Sequence, residues 1–448
     1  MSQRALSWAL RWTAAVALAL CAGAVSFADR FGVDLSGLSA FGLVFATAAL
    51  TAALGAFVFL DGGRLGPRSI LSLSFALFVF LPATYFSVSP GLSVYEVQAL
   101  LAAGVAFFSI LFVCPRGLRI LMHSYANIAG DRVSPSFVIF LFGVMFSALI
   151  LVVWIDQLSA FWEGAWVGST ISLFVLGVVS MERNRPLLSL TLWMVSLSLF
   201  VIWYFVFFTG FSRINLAAFV FSFILVFLLA RPSRSMKIFM ILFLPFGLAW
   251  GALQRDGASS VFEALQRGEG LSSVFAPFRD YALTLEKSSV SGLFPWYHWV
   301  DQVVVSVLFW VPRDWWPSKP DGFGFLLTNE LRSHLAPFGH SSASSILGEM
   351  TAYFGLLGPL MAVFVVSFLV VMVTQGVAFI RRSLGDLIGL VVGAYASAQI
   401  MSLVWMGVFT FSVRVGSLVI GLLVFFVWLV LWRLIRYRER DGVNLRRC

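Results

Sequence analysis

Two side chains able to carry protons, His340 and Glu349, lie nine residues apart in the stretch PFGHSSASSILGEMTAYFG. Serines surround them, and the apolar run LLGPLMAVFVVSFLVVMV follows at once. The serines predict helix N-caps. His340 then falls just ahead of a helix start, and Glu349 about two turns in, roughly 10 Å along the axis. Free N–H groups at such a start attract anions, phosphate included. A carboxylate this close to hydrocarbon must be paired or must give up its charge. On one reading His340 and Glu349 transfer protons. On the plainer one His340 is a surface residue and Glu349 is paired with an arginine such as Arg414.

Four cations could hold an anion beside them. Arg213, in FTGFSRINLAAF, sits at the junction of two apolar runs with the small residues Gly210 and Ser212 nearby. Its ordinary alternative is snorkelling to lipid head groups. Arg313 and Lys319, in VPRDWWPSKPDGFG, are held among three prolines and two tryptophans. A guanidinium fork suits phosphate oxygens and a lysine supplies a point charge, although both could be solvated loop charges. Arg414, in FTFSVRVGS, opens the last apolar run. Together these residues would suit a lipid-linked diphosphate. No GxxxxGK[ST] and no strand–glycine–helix unit occurs, so no nucleotide fingerprint is present. Cys21, Cys114 and Cys448 are scattered, and no acid cluster is spaced to hold a metal. Neither metal nor cofactor is expected.

The elements that position these residues follow from composition. Of 448 residues 60% are apolar and 11% charged, with a mean hydropathy of +0.95. Soluble domains carry about 25% charged residues, so the expected class is an all-α polytopic membrane protein. Runs such as FVFSFILVFLLA lack the alternation of a barrel strand and must pair their backbone internally as helices. Twelve spans are predicted, near 12–28, 41–60, 70–87, 97–114, 136–155, 165–181, 187–208, 214–230, 238–253, 350–378, 387–404 and 413–432. They divide the chain into an N-terminal bundle (1–253), a large loop (254–349), C-terminal helices (350–432) and a basic tail (433–448). Residues 1–28 also carry the features of a signal peptide, ending in Ser26-Phe27-Ala28.

With the N-terminus cytoplasmic, twenty of the 30 Lys and Arg residues fall on the cytoplasmic side. The short outer loops then hold only Arg30, Arg213 and Arg414. The net charge of +9 therefore reports topology and anionic-lipid contact, and no nucleic-acid partner is expected. The 254–349 loop is too aromatic for disorder, with five tryptophans in FPWYHWVDQVVVSVLFWVPRDWW. Its VDQVVVSVLFWV segment is too short to span and is expected to be an interfacial or re-entrant helix. No internal repeat is visible, which weighs against an inverted-repeat transporter.

VPRDWWPSKPDGFG followed by HSSASSILGEMTAYFGLLG resembles the polysaccharide polymerases of the Wzy type, the O-antigen or oligosaccharide repeat-unit polymerases. Those proteins show an I/V-P-R…K-P stretch, then S-x-x-G-E-x-x-x-x-F-G-x-x-G at the end of a large periplasmic loop. Here the second motif is Ser345, Gly348, Glu349, Phe354, Gly355 and Gly358. FTGFSRINL is similar to the small-Ser-Arg entry to a span in the same proteins. Thr351 departs from the related ligases, which carry glycine at that spacing after their histidine pair.

The resemblance implies a GT-C-like membrane glycosyltransferase acting at the periplasmic face of the bacterial inner membrane, with both termini cytoplasmic. It would join oligosaccharide units carried on undecaprenyl diphosphate. Arg213, Arg313, Lys319 and Arg414 would stabilise the departing diphosphate, and Glu349 or His340 would take the acceptor proton. Membrane lipid and a chain-length regulator protein are the implied partners. An O-antigen ligase is the nearest alternative, followed by polyprenyl-monophosphate-sugar transferases. A secondary transporter would need charges at mid-helix, and the predicted spans hold almost none.

Overall fold

A computed structural model describes residues 3–31, 41–88, 91–114, 118–130, 159–206, 213–243, 271–338 and 341–422. Among them no strand occurs, and seven helices are long and apolar enough to cross a membrane. The N-terminal part contributes α1 (Gln3–Ser26), α2 (Gly42–Phe59), α3 (Pro67–Val88), α4 (Val94–Val113) and α5 (Leu118–Gly130). There follow α6 (Ser159–Glu182), α7 (Pro186–Val206), α8 (Arg213–Ala230) and the short α9 (234–243). The predicted spans at 136–155 and most of 238–253 lie outside the described residues. Every other predicted span meets a helix, although those at 12–28, 214–230 and 413–432 coincide with shorter apolar helices over the described residues.

Helix α1 lies against α4 and against α14 (Gly358–Leu384), with Trp12 stacked 5.4 Å from Phe364. Helices α6 and α7 form a second pair. Perimeter and centre separate by burial. In α2 only 22% of the apolar window is buried, as suits a lipid-facing helix. In Asp386–Met406 the share is 94%. That segment comprises α15 (Asp386–Ala398) and α16 (Ile400–Met406), and it answers to the predicted span at 387–404. Its Gly, Ser and Gln residues fit a helix that faces protein on all sides. Aromatic contacts fill the interior, among them Phe75–Phe107 at 5.3 Å and Trp203–Phe219 at 5.2 Å.

One end of the bundle uses its cations on helix-end carbonyls. Lys237 is fully buried and donates to Phe57 O at 2.8 Å and Leu60 O at 2.9 Å, closing the C-terminus of α2. Arg68 and Arg183 do the same for Cys114 O and Ile128 O, at 2.7 and 2.9 Å. Lys237→Met is expected to remove two buried hydrogen bonds to helix-end carbonyls, at a cost of about 2 kcal/mol. An unchanged melting temperature in detergent would show those carbonyls to be satisfied otherwise.

The 254–349 region is described from residue 271. It is less of a separate loop than the sequence suggests. Helix α10 (Leu271–Lys287) buries Val274, Phe275, Phe278, Tyr281 and Leu285 against α4 and the π-turn of α3 at Ala76–Phe80. Helix α11 (Tyr297–Val307) is the short segment expected, roughly 16 Å long. It buries Gln302, Val305 and Ser306 and exposes Val300, Val304 and Val307 on its other side. Helix α12 (Phe323–Leu331) completes this layer.

Two predicted boundaries change. Glu349 belongs to α13 (Ser345–Phe354), so it stands one turn into its helix and not two. The predicted continuous span at 350–378 is broken between α13 and α14 by a 3-10 turn at Gly355–Leu357. Gly355 has φ +51, and a Cβ there would come within 2.0 Å of Val290 O. Only glycine fits both the turn and the approach.

Candidate functional site

The serine-rich approach to Glu349 is held side chain by side chain. Ser342 N–H donates to Gly324 O at 3.0 Å and to Thr328 Oγ1 at 2.8 Å, both on α12. Ser344 Oγ lies 3.2 Å from Thr284 Oγ1 of α10, and Ser345 Oγ accepts Gly348 N–H at 3.3 Å. Beneath this segment Asp280 is fully buried, with the Arg332 guanidinium reaching both of its oxygens. Burial raises the Asp280 carboxyl to about 6, while Arg332 and the Ala343 N–H pull the other way. The serines that the sequence presents as caps are thus mostly ties between α10, α12 and α13.

Glu349 meets a broken helix. The chain leaves α16 at Met406, passes Gly407, and restarts as α17 (Val408–Leu422). Gly407 has φ +86 and ψ −162, a region that only glycine occupies readily. A Cβ there would lie 1.6 Å from Glu349 Oε2. That oxygen accepts Val408 N–H at 2.9 Å, so the carboxylate closes the positive end of α17. The side chain is fully buried, and its Oε1 has no hydrogen-bond partner.

Of the four predicted cations, the three whose side chains are described do not converge. Arg313 donates to Lys319 O at 3.0 Å and to Asp321 Oδ1 at 2.6 Å. Lys319 donates to Phe309 O at 2.9 Å and Val311 O at 2.8 Å. Partial burial, with Arg313 adding to it, holds the Lys319 ammonium below its ordinary value. Both cations brace their own loop. That loop lies on one face of α17, where a Cβ on Gly416 would be 2.5 Å from the Phe309 ring and one on Gly322 3.1 Å from Phe409. Residues 409 and 416 are about two turns apart and share that face.

Arg414 faces elsewhere. Ser417 and Leu418, three and four residues on, meet α6 at Gly164, where a Cβ would be 2.3 Å from Ser417 O. A Cβ on Gly168 would meet Leu422 at 2.7 Å. Such small-xxx-small spacing lets helix backbones approach closely, and it brings Arg414 into the field of Glu163 and Tyr395. Arg414 Nη1 is buried without a hydrogen-bond partner.

Around Glu163 runs a polar network through the apolar bundle. Glu163 Oε1 accepts from Trp203 Nε1 at 3.2 Å and from Asn215 Nδ2 at 2.9 Å. Asn215 Oδ1 accepts from the Tyr395 hydroxyl at 2.7 Å and from Gln399 Nε2 at 2.9 Å. Ser402 Oγ donates to Gln399 Oε1 at 2.9 Å. Arg213 is the first residue of α8, two before Asn215, so the network holds the helix start that carries it. The Arg213 side chain and His340 lie outside the described residues.

Of Glu163, Trp203, Asn215, Tyr395 and Gln399, only Gln399 stands out in the sequence, as a polar residue within the predicted span at 387–404. The available signals were an acid beside a glycine pair spaced by four, Glu163 with Gly164 and Gly168, and an asparagine just inside a span. No protein-family model matches the chain, and neither a curated protein nor a solved structure matches it.

Proposed function

We propose that the chain is a membrane glycosyltransferase that polymerises oligosaccharide repeat units carried on undecaprenyl diphosphate. The observation that carries the reading is the buried, unpartnered Nη1 of Arg414 inside a bundle of apolar helices. A guanidinium N–H without an acceptor is costly there and is answered by an anionic oxygen. A substrate that arrives within the membrane and brings a diphosphate supplies one. The motif resemblance at Arg313–Gly358 points to the same chemistry.

In this reading the twelve-span topology places the 254–349 region and the Arg414 end at the periplasmic face of the inner membrane, with both termini cytoplasmic. The hydroxyl of an incoming lipid-linked unit attacks the anomeric carbon of the growing chain and gives up its proton to a base in the site. The bond to the diphosphate breaks, and its electron pair leaves with undecaprenyl diphosphate. Arg414 and Arg213 stabilise that growing charge, an effect worth about 10²–10³ in rate per donor. Arg313 and Lys319 shape the loop that supports the opposite face of α17. Glu349 sets the start of that helix and, with His340, remains within the assigned site.

The test is complementation of a polymerase-null strain of matching serotype, read as the lipopolysaccharide ladder. Wild type is expected to restore the ladder, and Arg414→Gln to leave core bearing a single repeat unit. Ladders that persist in Arg414→Gln at normal expression would remove Arg414 from the site. Bare core with polymer stranded on its lipid carrier, in a host lacking this gene, would make the protein a ligase.

A further inference from the structure

We propose that Glu163 is the catalytic base that takes the proton of the acceptor hydroxyl. This rests on the transferase reading above and names a residue which that reading had not used. Both hydrogen bonds to Glu163 fall on Oε1, and no other described residue bonds the carboxylate. Oε2 is left for a ligand, and the side chain is partly accessible. Glu349 also keeps one oxygen without a bond, but it is fully buried, and its Oε2 is committed to Val408 N–H at the start of α17.

The carboxylate is also held in place. Trp203 is wedged beside Phe219 and Phe200, at 5.2 and 6.1 Å between ring centres. Asn215 is clamped by Tyr395 and Gln399. A base oriented by such partners is preorganised for proton transfer. Arg414 acts on Glu163 through space, yet no ion pair joins them among the described residues. One oxygen without a bond thus lies within the electrostatic reach of a guanidinium that has one buried N–H without a bond. An acceptor hydroxyl answers the open oxygen by donating to Glu163 Oε2, and Arg414 Nη1 is left for the departing diphosphate. As the hydroxyl oxygen bonds to the anomeric carbon, its proton passes to Oε2. The bond from carbon to diphosphate breaks, and the diphosphate keeps the electron pair.

The experiment uses the full chain in proteoliposomes, supplied with lipid-linked repeat units extracted from a host lacking this gene. Glu163→Gln keeps an oxygen for Trp203 and Asn215 but cannot accept the proton. Its kcat should fall about 10²–10⁴-fold, with KM for the lipid-linked unit within about threefold of wild type and an unchanged melting temperature. Turnover within about tenfold of wild type, or a loss confined to KM, overturns the assignment. If Glu163→Gln fails to fold, Glu163→Asp decides. The shortened carboxylate should displace the acid limb of the kcat–pH profile, and an unmoved limb overturns the proposal. Wild type that joins no units would bring down the transferase reading and this one together. Coupling by wild type and by Glu163→Gln at equal rates would bring down only the base.

Discussion

Arg332→Ala is expected to destabilise the protein by about 3 kcal/mol near pH 8, because it strands the buried Asp280 carboxylate without its partner. The pH dependence gives the cause away. Even with Arg332 present, burial lifts Asp280 to about 6, against about 4 in an unfolded chain. The native state therefore binds that proton more tightly. The stability it contributes is complete below pH ~4 and is lost as pH rises through about 6. Without Arg332 the carboxyl shifts further up, so the deficit of the variant should be widest near pH 8 and should narrow toward pH 5. Melting in detergent at those two pH values measures it. An equal deficit at both would mean that Arg332 acts by packing its stem and not by its charge. The consequence reaches the site, since Asp280 also holds Ala343 and hence the approach to α13.

Gly407→Ala should be among the more damaging small substitutions at the described residues. The φ of +86 with ψ of −162 costs a side-chain-bearing residue about 1–3 kcal/mol. The new Cβ would also fall 1.6 Å from Glu349 Oε2, far inside any contact distance. Either α17 shifts, carrying Arg414 away from Glu163, or Glu349 gives up Val408 N–H. A loss of at least about 3 kcal/mol in stability is expected, with activity abolished. Adding Glu349→Ala should restore part of the stability, because it removes the clashing oxygen, although Glu349→Ala alone is harmful. That non-additivity is read from a double-mutant cycle of melting temperatures. Strictly additive losses would show that Glu349 and Gly407 do not meet.

The motif around Glu349 changes meaning in the light of these contacts. As a sequence, S-x-x-G-E-x-x-x-x-F-G-x-x-G marks a resemblance. In the fold, Gly355 is the turn against Val290 and Glu349 is the acceptor at the restart of a broken helix. The four cations read as one cluster in the sequence. The structure gives Arg313 and Lys319 to their own loop and turns Arg414 to the other side of α17.

By itself the sequence determined the helical, membrane-type class, a helix at each predicted span on described residues, and a short helix overlapping VDQVVVSVLFWV. Those properties follow from local hydropathy and length, which any window of the chain carries with it. It also singled out Glu349 and Arg414 as charges that need partners. Which partners they find was decided by tertiary structure alone. The bond from Glu349 to Val408 spans 59 residues, and those from Asn215 to Tyr395 and Gln399 span 180 and 184. The physical reason lies in the packing. Two glycines on α6 set how near α17 can come, and one glycine at 407 sets where it begins, so the polar groups meet only when those helices close together.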